Sequence, residues 1–313
     1  MAFHPGKRKN KALRLWLLLA AVLVIGGLAG AAGMWWYMEN AGETPVPAGT
    51  PFVFSGQEET KVLQMTQEDL TKGSLVLVNN ETPWSFPENK SAVSVFDVKN
   101  DDYHVKDKYV QLNGVTVENL NAMLKDFRAY SGLKTVNVTS GIRSYEYQQQ
   151  VYAEVAAEKG EQRARSFVAQ PGCSEHHTGY AVDFNLYYED RQDCGEFTGE
   201  GVYAWFDENA WRYGFIRRYS ADKQQYTFIG EEPWHFRYVG VPHARYMLEN
   251  DLCLEEYLQL LRSYDFDHPL VFTCDGSTYR IYYTRGMQVQ VPDEGDYIIS
   301  GNNVDGFIVT AGT

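Results

Sequence analysis

The 313-residue chain is 44% hydrophobic and 14% aromatic, a composition that sustains a sizeable core and excludes a chain disordered throughout. Its formal net charge is −13. Five of its 28 basic residues precede residue 15 and all 41 acidic residues follow residue 37, which leaves 23 basic against 41 acidic residues in the remainder. A surface that acidic argues against nucleic-acid binding.

Residues 1–14 form a basic tail containing Lys7, Arg8, Lys9, Lys11 and Arg14. Residues 15–37 carry no charge and end in Trp35, Trp36 and Tyr37. At about 1.5 Å per residue this segment spans a hydrocarbon core of about 30 Å. It reads as a transmembrane signal-anchor with the tail in the cytoplasm, the aromatics at the outer interface and the rest of the chain outside the cell. The alternative is a cleaved signal peptide, with Ala29-Gly30-Ala31 as the small-residue cleavage site; it also puts the rest outside. Residues 38–60 are rich in Pro, Gly, Thr and Glu and read as a linker.

Residues 61–265 read as an α+β domain, an antiparallel sheet with flanking helices. Leu120, Met123, Leu124 and Phe127 have the spacing of an amphipathic helix ending at Gly132. "KTVNVTSGI" follows as a β-rich segment, and a second helix is predicted from Ser144 to Gly160. The tyrosines recurring in "SYEYQQQVY" are expected in the core. "TGYAVDFNL" alternates, with Tyr180, Val182, Phe184 and Leu186 on one side and Gly179, Ala181, Asp183 and Asn185 on the other. A short helix should stop near Gly214, "PWHFRYVG" should be a strand, and the stretch from Val241 to Tyr264 should be helical in two pieces. From residue 266 to 313, "YRIYYT", "MQVQVP", "DYIISG" and "GFIVT" read as a small all-β region.

The cysteines are Cys173, Cys194, Cys253 and Cys274. Outside the cytoplasm an even number points to disulfides, and chain order pairs 173 with 194 and 253 with 274 among three possible connectivities; buried free thiols are the alternative. No C-x-x-C pair is present, which disfavours a cysteine zinc site.

Around Asp183 the strand face carries only Gly179, Ala181 and Asn185, which leaves room beside the carboxylate. His176 precedes this strand, and Gly179 lets the chain turn back. His and Asp both ligate zinc. A third ligand is available from "EEPWHFRYVG", where His235 lies on a strand and Glu232, fixed by Pro233, can act as general base. Each piece has a plainer reading, a hydrogen-bonded core pair for His176 and Asp183 and a surface contact for Glu232 and His235. H-E-x-x-H and G-x-S-x-G are absent, and no S-x-x-K is placed with its partner motifs.

Together, "SEHHTGYAVDF" and "EPWHFRYVG" resemble two signatures of the zinc D-Ala-D-Ala carboxypeptidases of the VanY/DacB type, the LAS-type peptidoglycan peptidases. "SGIRSYEYQQQVY" resembles the third. The resemblance covers about residues 61–265. It implies one Zn²⁺ per chain, held by His176, Asp183 and His235, with Glu232 as catalytic base. It implies Arg143 as the cation that meets the substrate, with Gln148 and Ser174 as further contacts, and His177 outside the ligand set. A guanidinium suits recognition of a terminal carboxylate, and Arg143 lies just before a predicted helix N-terminus, which also favours an anion. A structural salt bridge is the plainer role for it. The expected activity is removal of the terminal D-Ala from peptidoglycan stem pentapeptides by a membrane-anchored monomer. An L,D-carboxypeptidase acting on tetrapeptides and a non-catalytic wall-binding module are the alternatives.

Overall fold

The computed structural model describes residues 59–312. The expected anchor at 15–37, the basic tail and nearly all of the linker lie outside the described residues. Among the described residues, no helix is long and apolar enough to cross a membrane.

The strands in chain order are β1 (Thr60–Gln64), β2 (Ala92–Ser94), β3 (His104–Val105), β4 (Gln111–Asn113), β5 (Val136–Ser140), β6 (Ala181–Tyr188), β7 (Asp193–Gly195), β8 (Phe215–Tyr219), β9 (Glu232–Tyr238), β10 (Leu270–Cys274), β11 (Ser277–Arg285), β12 (Gln288–Pro292), β13 (Tyr297–Gly301) and β14 (Gly306–Gly312). The principal helices are α1 (Gly114–Ser131), α2 (Tyr145–Lys159), α3 (Glu161–Phe167), α4 (Val241–Glu249) and α5 (Leu254–Leu261).

The central sheet runs β3-β5-β6-β9-β8, with β7 added to β6. It is mixed rather than antiparallel as expected, because the two-residue β3 pairs parallel with β5 at its edge. Val182, Phe184 and Leu186 of β6 face a core shared with Leu120, Met123, Leu124 and Phe127 of α1, as their periodicities predict. Each large apolar side chain buried there contributes about 1.5–3 kcal/mol. Helix α1 ends at Gly132 in the left-handed conformation, and α2 starts after Ser144, whose side chain accepts from the Tyr147 amide. Helix α2 lies largely on the surface. Tyr145 and Tyr147, expected in the core, are 44% and 48% exposed.

The C-terminal strands form a second sheet, β10-β11-β14-β13. Strand β12 leaves it to pair with β1 over Thr60–Gln64. The segment after β1 follows, with Leu70 packed against Tyr282, Val289, Val291, Phe307 and Val309. The residues just after the expected linker therefore belong by pairing and packing with the C-terminal strands. This sheet also packs on the body through Leu254, Leu258 and Leu261 of α5 against Leu270, Ile281 and Ile308. His243 is a core residue, with Nδ1 on the Tyr257 hydroxyl (2.8 Å) and Nε2 on the Thr310 hydroxyl (3.0 Å). All four cysteines are free thiols, contrary to the pairing drawn from chain order. Cys194 is exposed on β7, while Cys253 and Cys274 are buried on different elements.

Candidate active site

Strands β6 and β9 are adjacent, and Asp183 and His235 are direct cross-strand partners. Two irregularities flank this pair, one in β5 where Ser140 opposes Asp183 and one in the β8–β9 ladder between Arg217 and Tyr219, beside Glu232. Bulges of this kind re-aim side chains next to sites. His176 arrives from the single turn Glu175–Thr178, capped by the Ser174 hydroxyl. Gly179 closes that turn at φ 78°, and a Cβ there would lie 2.7 Å from Asn113 Oδ1. The Asn113 amide nitrogen of its side chain donates to the Thr178 carbonyl (2.9 Å), which fixes the turn against β4. A glycine is required at this position by both conformation and space.

The ligating atoms of His176, Asp183 and His235 all lie within 4.8 Å of one another. The two imidazole rings meet edge to face, with centroids 4.9 Å apart. His176 Nδ1 donates to the Gly141 carbonyl (2.8 Å), so its Nε2 carries a lone pair. That atom is buried without a hydrogen-bond partner and faces Asp183 Oδ2 at 3.0 Å. Two acceptors so placed call for a cation. His235 Nδ1 lies 2.9 Å from Asp183 Oδ1 and 3.7 Å from Glu232 Oε2.

The electrostatics agree. Burial opposes charge on His235, but Asp183 and Glu175 prevail and raise its pKa to about 9, so this corner of the site attracts positive charge. Burial and the nearby Arg143 lower His176 to about 4, which keeps it a neutral donor at pH 7. Burial would raise the Asp183 carboxyl, but His176 and Arg143 hold it well below the usual carboxylate range. Burial pushes Glu232 up to about 7, with Asp183 adding to the effect. Two imidazole nitrogens and one carboxylate, with a second carboxylate beside them, fit a catalytic zinc centre that keeps one position open.

Arg143 lines the same cavity, just before α2. Its Nη2 donates to Asp183 Oδ2 (2.5 Å), Nε to the Ser140 hydroxyl (2.9 Å) and Nη1 to Gln148 Oε1 (3.3 Å). These contacts use three of its five N–H donors, so one on Nη1 and one on Nη2 remain for a substrate carboxylate while Asp183 stays bound. Nη1, on its long contact, is the donor most readily turned to a substrate oxygen. Gln148 is buried and spends its amide on the Ala169 carbonyl (2.8 Å) and its oxygen on Arg143. His177 is also buried. Its Nε2 accepts from the Gly172 amide (3.2 Å) and its Nδ1 lies 2.7 Å from the Arg143 carbonyl, so it braces the arginine's backbone and stays outside the ligand cluster.

Four residues not singled out by the sequence reading complete the surroundings. The Tyr219 ring lies 4.8 Å from that of His235. Glu175 is wholly buried between Arg218 and Arg237. Arg237 had a usable signal, since it lies two residues beyond His235 and shares its strand face. The cavity holds about 380 Å³ and extends from His176, Asp183, Glu232 and His235 along Val151 and Val155 of α2 to Lys159, Arg163, Phe167 and Trp234.

A family model described as VanY, D-alanyl-D-alanine carboxypeptidase, matches residues 109–241. A D-alanyl-D-alanine carboxypeptidase of Enterococcus faecium is 33% identical over 261 residues, covering 81% of this chain and 80% of the relative. Among solved structures, the vancomycin resistance D,D-dipeptidase VanXYg, in complex with a D-Ala-D-Ala phosphinate analog, superposes with a TM-score of 0.72 at 32% identity and covers 82% of this chain and 100% of that one. The LD-carboxypeptidase LdcB superposes with a TM-score of 0.50 at 32% identity, over 58% of this chain and 84% of its own. This chain is an enzyme of the VanY family of D-alanyl-D-alanine carboxypeptidases.

Proposed function

We propose that this enzyme is a zinc D,D-carboxypeptidase that removes the terminal D-Ala from peptidoglycan stem pentapeptides. The observation that carries the reading is the convergence of His176 Nε2, His235 Nδ1 and Asp183 beside Glu232 and Arg143 in one cavity. Zinc held by His176, Asp183 and His235 supplies Lewis acidity toward the scissile carbonyl and toward water. Glu232 takes the proton of the attacking water and returns it to the departing amine as the C–N bond breaks. A carboxyl with a pKa of about 7 is suited to both transfers near neutral pH. Arg143 Nη1 meets a substrate oxygen, and Gln148, Ser140 and His177 hold that arginine in place. The far end of the cavity offers Lys159 and Arg163, neither of which has a carboxylate partner among the described residues; they suit an acidic stem peptide. The uncharged segment 15–37 behind a basic tail supports a membrane-anchored enzyme facing outward.

The likeness to LdcB favours a second reading, L,D-carboxypeptidase activity on tetrapeptides. Pentapeptide and tetrapeptide muropeptides incubated with the full chain, with and without a chelator, separate the two by product mass. Chelator-sensitive loss of one alanine from the pentapeptide is expected. Loss from the tetrapeptide alone would replace the first reading with the second. Loss from neither, with zinc bound, would favour a binding module.

A further inference from the structure

One buried carboxylate beside the candidate ligands has no part in the chemistry above. Glu175 stands immediately before His176, and its side chain is 0% exposed. Its Oε1 accepts from Arg218 Nε (2.9 Å) and Arg237 Nη1 (2.7 Å). Its Oε2 has no hydrogen-bond partner and lies 3.5 Å from His235 Nε2, which has none either.

The two nitrogens of His235 thus face different surroundings. Nδ1 lies within hydrogen-bond distance of Asp183 Oδ1 and is turned toward Glu232, where the candidate ligands converge and a bound metal would take the place of a proton. Nε2 is turned toward Glu175 Oε2. A lone pair on Nε2 would confront a buried anionic oxygen, whereas a proton there meets an acceptor. We propose that Glu175 is a positioning residue of the metal site: it holds the proton of His235 on Nε2 and so presents the Nδ1 lone pair to the metal. This rests on the reading of His235 as a ligand. His176 is anchored in the matching way, its Nδ1 proton going to the Gly141 carbonyl. Partners of this kind fix the tautomer and ring orientation of ligating histidines and raise their basicity.

The two arginines account for the fixed position of Glu175. Arg237 Nη2 donates to the carbonyls of Ser74 and Val76, both at 2.8 Å. Arg218 Nη2 donates to Glu255 Oε1 (2.6 Å) at the start of α5. The orientation of a ligand on β9 is thereby tied to the segment before β2 and to α5, neither of which contributes a ligand. A buried ion cluster of this size is a poor source of stability, which makes a positional role the better account of it.

The test is zinc affinity of the full chain, measured by competition with a chromophoric chelator and without substrate. Glu175→Gln keeps the shape and leaves one oxygen for the arginines, but removes the carboxylate facing Nε2. Zinc affinity should fall about 10- to 100-fold. A folded Glu175→Gln protein with affinity within about twofold of wild type overturns the proposal. Should the variant fail to fold, wild type decides. Long-range proton–nitrogen spectra of the zinc-loaded, ¹⁵N-histidine-labelled chain should show His235 protonated at Nε2, and the opposite tautomer overturns the proposal. A wild-type chain that binds no zinc would sink the metal reading itself, an outcome distinct from loss of the Glu175 role alone.

Discussion

The part of the central sheet behind the active site and the interior of the C-terminal sheet are built from different materials. Behind the active site the central sheet buries Glu175, His176, His177, Arg218, His235 and Arg237. The C-terminal sheet buries Leu70, Tyr282, Val289, Val291, Phe307 and Val309, and its bidentate Arg262–Asp305 pair lies nearer the surface. Buried charge is costly even when paired, and apolar burial is the main favourable term in folding. The contrast therefore separates tasks. Behind the site the central sheet accepts expensive buried charge because the proposed metal site needs fixed donors, whereas its face on α1 and the C-terminal sheet supply apolar burial. Substitutions of the groups that converge in the cavity should change chemistry more than folding, and substitutions in the C-terminal sheet should do the reverse.

The largest effect should come from the site itself. Glu232→Ala removes the group assigned to both proton transfers, and kcat should fall about 10²- to 10⁴-fold. Zinc content should stay at one ion per chain, because the three proposed ligands remain. Retained turnover would remove Glu232 from the mechanism. Loss of zinc along with turnover would move Glu232 into the ligand set and blur the separation drawn above.

The next effect belongs to the other sheet. Phe307 lies on β14, between β11 and β13, and is 0% exposed. Phe307→Ala should cost about 3–5 kcal/mol of stability through lost burial and the cavity left behind. Thermal or denaturant unfolding reads that loss. The folded fraction should keep the wild-type kcat/KM. A fall in kcat/KM beyond the unfolded fraction would show that the two regions are coupled.

How well the sequence can be read depends on how local the signal is, in both regions. The end of helix α1 and both ends of α2 were legible because Gly132, Ser144 and Gly160 are local stop and start signals. Strand β6 was legible because its alternation reflects one buried face. The three proposed ligands and Glu232 were legible as motif positions, and the structure brings them into one cavity. Strands β2, β3, β4 and β7 were not, since two or three residues carry no periodicity and exist only through their partners. The pairing of β1 with β12 joins segments over 200 residues apart, which no local pattern reports. Glu175, Arg218 and Arg237 read as surface charges by residue type, and only the fold shows that they satisfy one another inside it. Chain order failed for the cysteines for the same reason, because proximity in sequence does not set the separation of Cα atoms.

The smallest effect tests whether the C-terminal sheet draws any appreciable stability from charge. Asp305 accepts from Arg262 through both oxygens (2.7 and 3.0 Å), from the Tyr283 hydroxyl (2.9 Å) and from Asn302 (3.1 Å). Arg262 leads the contacts that hold its carboxyl well below the ordinary value of 3.8, against the opposing effect of burial. A carboxyl depressed by folding contributes stability that is fully present above its unfolded pKa and is lost as pH falls through the folded value. Asp305→Asn should therefore cost about 1 kcal/mol or less at pH 7, given that the pair is partly exposed. The same deficit should hold at pH 5.5 and shrink as pH falls below about 4, where wild type itself begins to lose the pair. Urea unfolding of both proteins across that range reads the difference. A deficit that stayed constant down to pH 2 would assign the effect to packing rather than charge, and would make this sheet apolar in its energetics to the rim.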